Sequence, residues 1–409
     1  MRAATFGGLF QQACSAGSAV LLFPFIVHSL SSADSGLWFS FQGFMAIAGL
    51  CDFGLGFVVA RQTSYSLSQT KNNQPEGDFI DFGEGGLGVA SLRGHVEKIY
   101  NISGVVAFSV GILLYEAVLP LTAALDGVTE HSRIVWYLML ATGLFLLFAN
   151  RWTAILNGAN NVFTARIIFG SFFLVQGLSV TLAAVFGKSL VPMAILSLCV
   201  AIIYCLAVKY AALRTVPALR DRKLGKVDRL LVKRLWKVAV PVGFTNTSSF
   251  LISSIQVPML AVIFGPSHVA PYYLAQKLIQ FGAMIGQQPI TSQLSRFTAA
   301  LSNGNPTLAS RIMYQSLLFL VPVSLITGAS FILLSPLLAG FLAPDNSYPG
   351  YLVLLLMATN MVLLNVASTG GQFVMASGKN PFMWVTILNG ILNLCALWLL
   401  VPRFGLIGI

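Results

Sequence analysis

Long stretches of this sequence are apolar on every side, and they decide the fold class. Val105–Leu114, Ile134–Leu147 and Val385–Leu400 show none of the apolar–polar alternation of a barrel strand. Membrane barrels need that alternation, so these runs predict helices in contact with lipid all round. Of 409 residues, 56% are hydrophobic and 9% charged, where a soluble protein carries roughly a quarter charged residues. The expected class is an all-α, polytopic membrane protein.

A helix needs roughly 20 apolar residues to cross the hydrocarbon core. Spans are expected near 4–30, 36–60, 99–123, 133–156, 163–187, 189–212, 238–264, 270–293, 312–342, 351–376 and 382–402. The first is not expected to be a cleavable signal. It is long, contains Gln11, Gln12 and Pro24, and leads straight into a second span.

Lys and Arg set the orientation. With the N-terminus inside, only Arg133, Lys188 and Arg403 face outward and only Lys277 falls within a span. Positive residues stay on the cytoplasmic side, so a cytoplasmic N-terminus is expected. The net charge of +11 is then a matter of topology and calls for no nucleic acid. The basic stretch Lys209–Lys237 reads as a topology determinant held near anionic headgroups, or as an attractor of an anionic lipid substrate. It divides the chain into an N-terminal lobe of six helices (1–212), a basic cytoplasmic linker (213–237) and a C-terminal lobe of five (238–409).

One constant offset pairs Pro24 with Pro258, Trp38 with Tyr272 and Gln42 with Gln276; a second pairs Asn161 with Asn380 and Phe163 with Phe382. Both halves begin inside, so the repeat would be parallel, about a pseudo-two-fold along the membrane normal. A site between two such lobes at mid-membrane is a transporter architecture. The second offset matches Phe186–Gly187 with Phe404–Gly405. A twelfth helix is therefore expected to be missing, and the start of the first span trimmed.

Several motifs lack the context that chemistry needs. Gly83-Glu84-Gly85-Gly86-Leu87-Gly88 fits a dinucleotide fingerprint, but no βαβ unit surrounds it, so no cofactor is expected. Cys14, Cys51, Cys199, Cys205 and Cys395 lie in spans without metal or disulfide spacing. His28, His95, His131 and His268 are scattered, so neither a catalytic group nor a metal site is expected. Leu92, Val96 and Ile99 stand opposite Arg93, Glu97 and Lys98, the pattern of an interfacial helix before the third span.

Ionisable residues inside spans say more, because each should face protein or water. Lys277 is flanked by Gln276 and Gln280, with Gln287 and Gln288 on the following turns. This stripe would line a cavity, although Lys277 alone could snorkel to the headgroups. Asp52, in Cys51-Asp52-Phe53-Gly54-Leu55-Gly56, would either cap a helix irregularity or hold a cation or proton that couples transport. Further polar faces carry Gln11, Gln12, Ser15 and Ser18; Thr245–Ser249, Ser253, Ser254 and Gln256; and Asn360, Asn365, Ser368 and Gln372. Such residues line cavities or join helices. Pro24, Pro258 and Pro322 are expected to kink or break their helices.

Gly36-Leu37-Trp38-Phe39 after a short outer loop, then Asp52-Phe53-Gly54-Leu55-Gly56 and Arg61, resemble the polysaccharide-transport (Wzx-type O-antigen flippase) family. That family belongs to the multidrug/oligosaccharidyl-lipid/polysaccharide flippase superfamily. The closing Pro402-Arg403-Phe404-Gly405-Leu406-Ile407-Gly408 is similar to its usual lead into a last helix. The chain departs from the family in its long glycine-rich loop after Arg61 and in the absent twelfth helix. The resemblance implies a flippase of the bacterial inner membrane, not an enzyme, that moves a polyprenyl pyrophosphate-linked oligosaccharide outward by rocking two lobes about Lys209–Lys237. Its partners would be membrane lipids and the polysaccharide polymerase machinery. Lys277 and Arg61 would supply the charge of a cationic cavity; Gln42, Gln276 and Gln280 would meet sugar hydroxyls. A cation-coupled multidrug exporter of the same superfold is the nearest alternative, with Asp52 as its carboxylate. A membrane glycan polymerase or ligase is a further one, but it would need a large outer loop.

Overall fold

The computed structural model describes residues 2–50, 89–126, 131–220, 240–241, 243–252, 254–265, 268–302, 305–342, 350–376 and 383–405, with isolated positions between 52 and 67. Among them no strand occurs. In chain order the helices are α1 (Arg2–Ser29), α2 (Ser32–Leu50), α3 (Val89–Asp126), α4 (His131–Gly158), α5 (Val162–Gly187) and α6 (Leu190–Thr215). After a 3-10 turn at Pro217–Leu219 come α7 (Gly243–Ile252), α8 (Gln256–Phe264), α9 (Val269–Ser302), α10 (Pro306–Leu342), α11 (Tyr351–Ala376) and α12 (Met383–Phe404). Seven of these are long and apolar enough to cross a bilayer, or eight if α7 and α8, bent by 45°, form one span. The chain is a multi-pass membrane protein.

Local chemistry sets the helix ends. The Ser31 hydroxyl donates to Asp34 Oδ2 (2.8 Å) and accepts from the Asp34 N–H (3.1 Å), a capping box that starts α2. Asn305 Oδ1 accepts from the Leu308 N–H (3.0 Å), and Pro306 fills the first turn of α10.

Three expectations change. The interfacial helix and the third span are one helix of 38 residues. Val96, Ile99, Tyr100, Ser103 and Ala107 are all buried along it, so one stripe packs across the expected boundary and nothing breaks the helix there. Pro24 and Pro322 lie inside unbroken helices, and only Pro258 stands beside a break, in the first turn of α8. Prolines are tolerated in spans whose neighbours re-satisfy the freed backbone. Finally, α6 runs on to Thr215, and Val216 and Leu219 are buried in the core of the first bundle. Residues 213–219 therefore belong to that bundle rather than to a linker. The rest of the basic stretch, 221–239, lies outside the described residues, as do the 83–88 glycine motif, Asn380, Phe382 and 406–409.

Helices α1–α6 pack as one bundle and α9–α11 as the heart of a second, which α7, α8 and α12 join, while α8 also packs against α2 and α3 of the first. Among the described residues, the bundles share a buried core at one end. There Phe23, Leu37, Trp38 and Phe41 of α1 and α2 join Trp136 and Met139 of α4 in a single cluster. Val257 and Leu260 of α8, and Val269, Tyr272 and Leu274 of α9, complete it. Trp38 and Tyr272, which the first sequence offset pairs, are both fully buried in it. At the opposite end each bundle keeps its own core, around Tyr100, Trp152 and Tyr204 in the first and around Phe297, Leu320 and Phe373 in the second. We call these the closed end and the split end. The described basic residues divide the same way. Arg93, Lys98, Arg151, Arg166, Lys209, Arg214, Arg220 and Arg311 sit toward the split end, and Arg133, Lys188 and Arg403 at the closed one.

Candidate functional site

Tyr273, Lys277, Gln280 and Gln287 recur at three- to seven-residue steps along α9 and so share one face. The Tyr273 ring shows where that face points. It stacks on Phe39 of α2 (centroids 4.7 Å, planes 24° apart), and Phe39 stacks on Phe23 of α1 (4.4 Å, 19°). At Tyr273 the stripe therefore looks across at the first bundle, and it runs from the closed end toward the split end, where Gln287 turns to α11.

Lys277 is half-buried one turn further along. Its Nζ stands 5.1 Å from the Tyr273 ring centroid, within cation–π range, and 3.3 Å from Gln280 Oε1. Both partners are neutral, and no carboxylate pairs with it among the described residues. A cation held this way in a low-dielectric cleft attracts phosphate strongly, while the neighbouring amides suit neutral hydroxyls.

Gln276 faces elsewhere. It is buried and donates to Gln256 Oε1 (3.1 Å), which also accepts from Tyr272 Oη (2.7 Å). Gln256 Nε2 in turn donates to the Ile252 carbonyl (3.3 Å), freed where α7 breaks from α8. Asn393 of α12 satisfies the adjacent Leu251 carbonyl (2.6 Å). This network locks a helix break. Farther along α9, Gln287 donates to Asn365 Oδ1 (2.8 Å) and Ser368 Oγ (3.2 Å) of α11, and Asn365 reaches Ser324 of α10 (3.2 Å). Gln42 is half-buried on α2, beside Gly43, whose Cα packs close to Pro258 and Val257 of the second bundle. Arg61 lies outside the described residues. Of the sequence-named binding residues, then, the structure brings Lys277 and Gln280 together and sets Gln276 apart.

Asp52 sits where α2 has ended and the chain turns. Its carbonyl accepts from the Leu55 N–H (2.7 Å), and Gly54 takes the left-handed φ of 71° that the turn requires. Asp52 Oδ2 accepts from the Gly56 N–H (3.2 Å) as the helix resumes. Asp52 Oδ1 and the Tyr100 hydroxyl on α3 are both buried, and the two side chains lie against each other. Both residues border Gly56: a methyl group there would stand 3.3 Å from Asp52 Oδ2 and 3.7 Å from Tyr100 Oη. Nearby on α3, Arg93 pairs with Glu97 (2.9 Å) and donates to the Leu219 carbonyl, which fastens the root of the interlobe connection to the first bundle.

Sequence reasoning missed the Phe23–Phe39–Tyr273 stack, Tyr100 and Asn393. With 30 phenylalanines in the chain, nothing marks Phe23 or Phe39 in advance. Asn393 is one of two asparagines, with Asn389, in a largely apolar span, and an amide there was the available signal.

No family model matches the sequence, and no curated protein does. Solved structures do match in fold. A lipid II flippase, MurJ, in an inward closed conformation superposes with a TM-score of 0.68 at 12% identity, over 100% of this chain and 83% of that one. A mutant of the Vibrio cholerae MATE transporter VcmN gives 0.65 at 15% identity, over 99% and 90%. An inward-facing multidrug resistance MATE family transporter of the MOP superfamily gives 0.59 at 16%, over 98% and 89%. The chain has the two-lobed fold of these transporters.

Proposed function

We propose that this protein is an alternating-access flippase that carries a lipid-linked oligosaccharide, by its pyrophosphate, across a bacterial plasma membrane. The observation that carries the reading is Lys277, a half-buried cation with only neutral partners, on the α9 face that looks across the cleft. The pyrophosphate would lie at Lys277, with Gln280, Gln287 and Gln42 near the sugars and Arg61 as a second cation. Basic residues gather at the split end, which supports a cytoplasmic placement for it and for the N-terminus. The cleft would then open to the side where such precursors are made, and the polyprenyl chain would stay in lipid between the lobes. Rocking of the bundles would hinge beyond Arg220, since residues 216–219 are anchored to the first bundle. The protein binds and moves its substrate without altering it. Likeness to a lipid II flippase supports this reading of the fold.

The buried Asp52 carboxylate, at a turn inside the first bundle, favours one second reading, a cation-coupled multidrug exporter. Deleting the gene in its host separates the two. Lost surface polysaccharide with precursor trapped on the inner leaflet supports the flippase; normal polysaccharide with raised drug sensitivity supports the exporter. In proteoliposomes, Lys277→Ala with Arg61→Ala is expected to abolish flipping of a fluorescent polyprenyl pyrophosphate oligosaccharide. Unchanged flipping in that double variant would remove the charged-cavity mechanism.

A further inference from the structure

The closed end is held by contacts that cross from one bundle to the other, and one of them touches the proposed binding cation. Phe23 and Phe39 belong to the first bundle and Tyr273 to the second; the three rings form one stack, with Phe23 and Tyr273 centroids 6.2 Å apart. Lys277 lies 5.1 Å from the outermost of these rings.

We propose that the Phe23–Phe39–Tyr273 stack is the gate of the closed end, and that Lys277 releases it when an anionic headgroup draws its ammonium off the Tyr273 ring. The proposal rests on the flippase reading and adds how substrate would trigger the turnover of conformations.

The argument runs from the strengths of the contacts. A cation over an aromatic face adds modestly to stability, and more when desolvated. A pyrophosphate offers full negative charge to the same ammonium, and in a low-dielectric cleft that attraction is much the stronger. The lysine stem is flexible, so its Nζ can swing by several ångströms without moving α9. Gln280, already 3.3 Å from Nζ, lies on the split-end side of Tyr273, which is the side from which substrate would arrive. Binding there withdraws Lys277 from the ring that it braces. Lys277 and Tyr273 stand one turn apart on the same helix, so the ammonium makes no contact across the seam itself; it fixes the position of the ring, and once it leaves, Tyr273 is free to turn off Phe39 and the lobes can part at the closed end. A neutral lipid has nothing with which to compete for the ammonium, so the gate would answer charge rather than chain length.

The test is a distance measurement across the closed end. Spin labels go at Ser32→Cys in the first bundle and His268→Cys in the second, with native cysteines replaced by alanine, in lipid nanodiscs. The probe is a polyprenyl pyrophosphate, with the matching neutral polyprenol as control. Pyrophosphate is expected to raise the long-distance population about tenfold, and polyprenol to leave it unchanged. Tyr273→Ala is expected to show the long distance without probe, to keep binding pyrophosphate through Lys277, and to gain no further shift from it. Tyr273→Phe preserves the ring and is expected to behave as the unaltered protein; Tyr273→Leu, which also fills the space, separates loss of the ring from loss of packing. If Tyr273→Ala and Tyr273→Leu stay closed and still open with pyrophosphate, the stack is packing only and the gate is refuted, while the flippase reading stands. If pyrophosphate fails to bind the unaltered protein, the flippase reading falls and the substrate trigger with it.

Discussion

Gly43 offers the sharpest test of a parting surface at the closed end. It lies on α2, and a Cβ there would stand 3.1 Å from Pro258 Cδ and 3.2 Å from Val257 Cγ1, both on α8 of the other bundle. A methyl group would need those neighbours to yield by a few tenths of an ångström. Gly43→Leu adds three more carbons to occupied space, and such overpacking costs ~1–3 kcal/mol. If the bundles can separate here, the cost falls on the closed conformation alone and shifts its ratio to the open one by about 5- to 150-fold. Gly158 supplies the contrast. Its Cβ would lie 2.2 Å from the Ala60 carbonyl oxygen and 2.7 Å from Thr63 Cβ, a contact within the first bundle that no conformational change relieves. Gly158→Ala should therefore lower the unfolding temperature with no change in the Ser32–His268 distance. Gly43→Leu should lengthen that distance and unfold near the unaltered protein. If instead it melts as early as Gly158→Ala with the distance unchanged, the closed end is a permanent core and the two-state reasoning fails.

Two further outcomes follow from the polar networks. Gln256→Leu strands the Tyr272 hydroxyl in the core; with ~1–3 kcal/mol for an orphaned buried group, a drop in thermal unfolding temperature is expected. Asp52→Asn keeps an oxygen for the Gly56 N–H and should unfold with the unaltered protein, whereas Asp52→Ala should lose about 1 kcal/mol, the usual worth of a cap. Transport measured on Asp52→Asn then isolates the charge: activity retained leaves Asp52 a cap, and activity lost at unchanged stability makes it a coupling group.

Seven of the eleven expected spans, or eight with the bent α7–α8 pair, are long and apolar enough to cross among the described residues, and they were legible because a segment in lipid must satisfy its own backbone, which an apolar helix does. The end of α2 near Asp52 and the break before Pro258 were also marked, by Gly54 and Gly56 in one case and by a polar run with a proline in the other. Lys277 stood out as a charge within a span. What the sequence could not decide was the fate of its neighbours. Gln276 and Gln280 are alike in type and stand one turn apart, only about 40° from each other around the helix, yet one meets Gln256 and the other Lys277. Which side is cleft depends on where α2 and α8 lie, and that is a tertiary fact. The aromatic gate was hidden for the opposite reason: phenylalanine is so common here that its place in a stack leaves no trace in composition.

The partners of α9 make a case about what Lys277 is for. Along this helix the buried polar groups are matched in kind: Tyr272 and Gln276 meet Gln256, and Gln287 meets Asn365 and Ser368. Lys277 is the exception, a charge met by an amide and a ring. A structural cation would be expected to have a carboxylate, since an ion within the membrane costs as much as ~2.5–3.5 kcal/mol at the centre when nothing compensates it. Half-buried, Lys277 should carry a fraction of that cost. Lys277→Met keeps most of the stem and removes the charge, so it is expected to raise the unfolding temperature by a few degrees and to abolish flipping of the pyrophosphate lipid. Stability gained together with function lost is the signature of a group retained for a ligand that comes and goes. A variant that unfolds earlier than the unaltered protein would make Lys277 a structural residue, and the binding site would have to be sought elsewhere in the cleft.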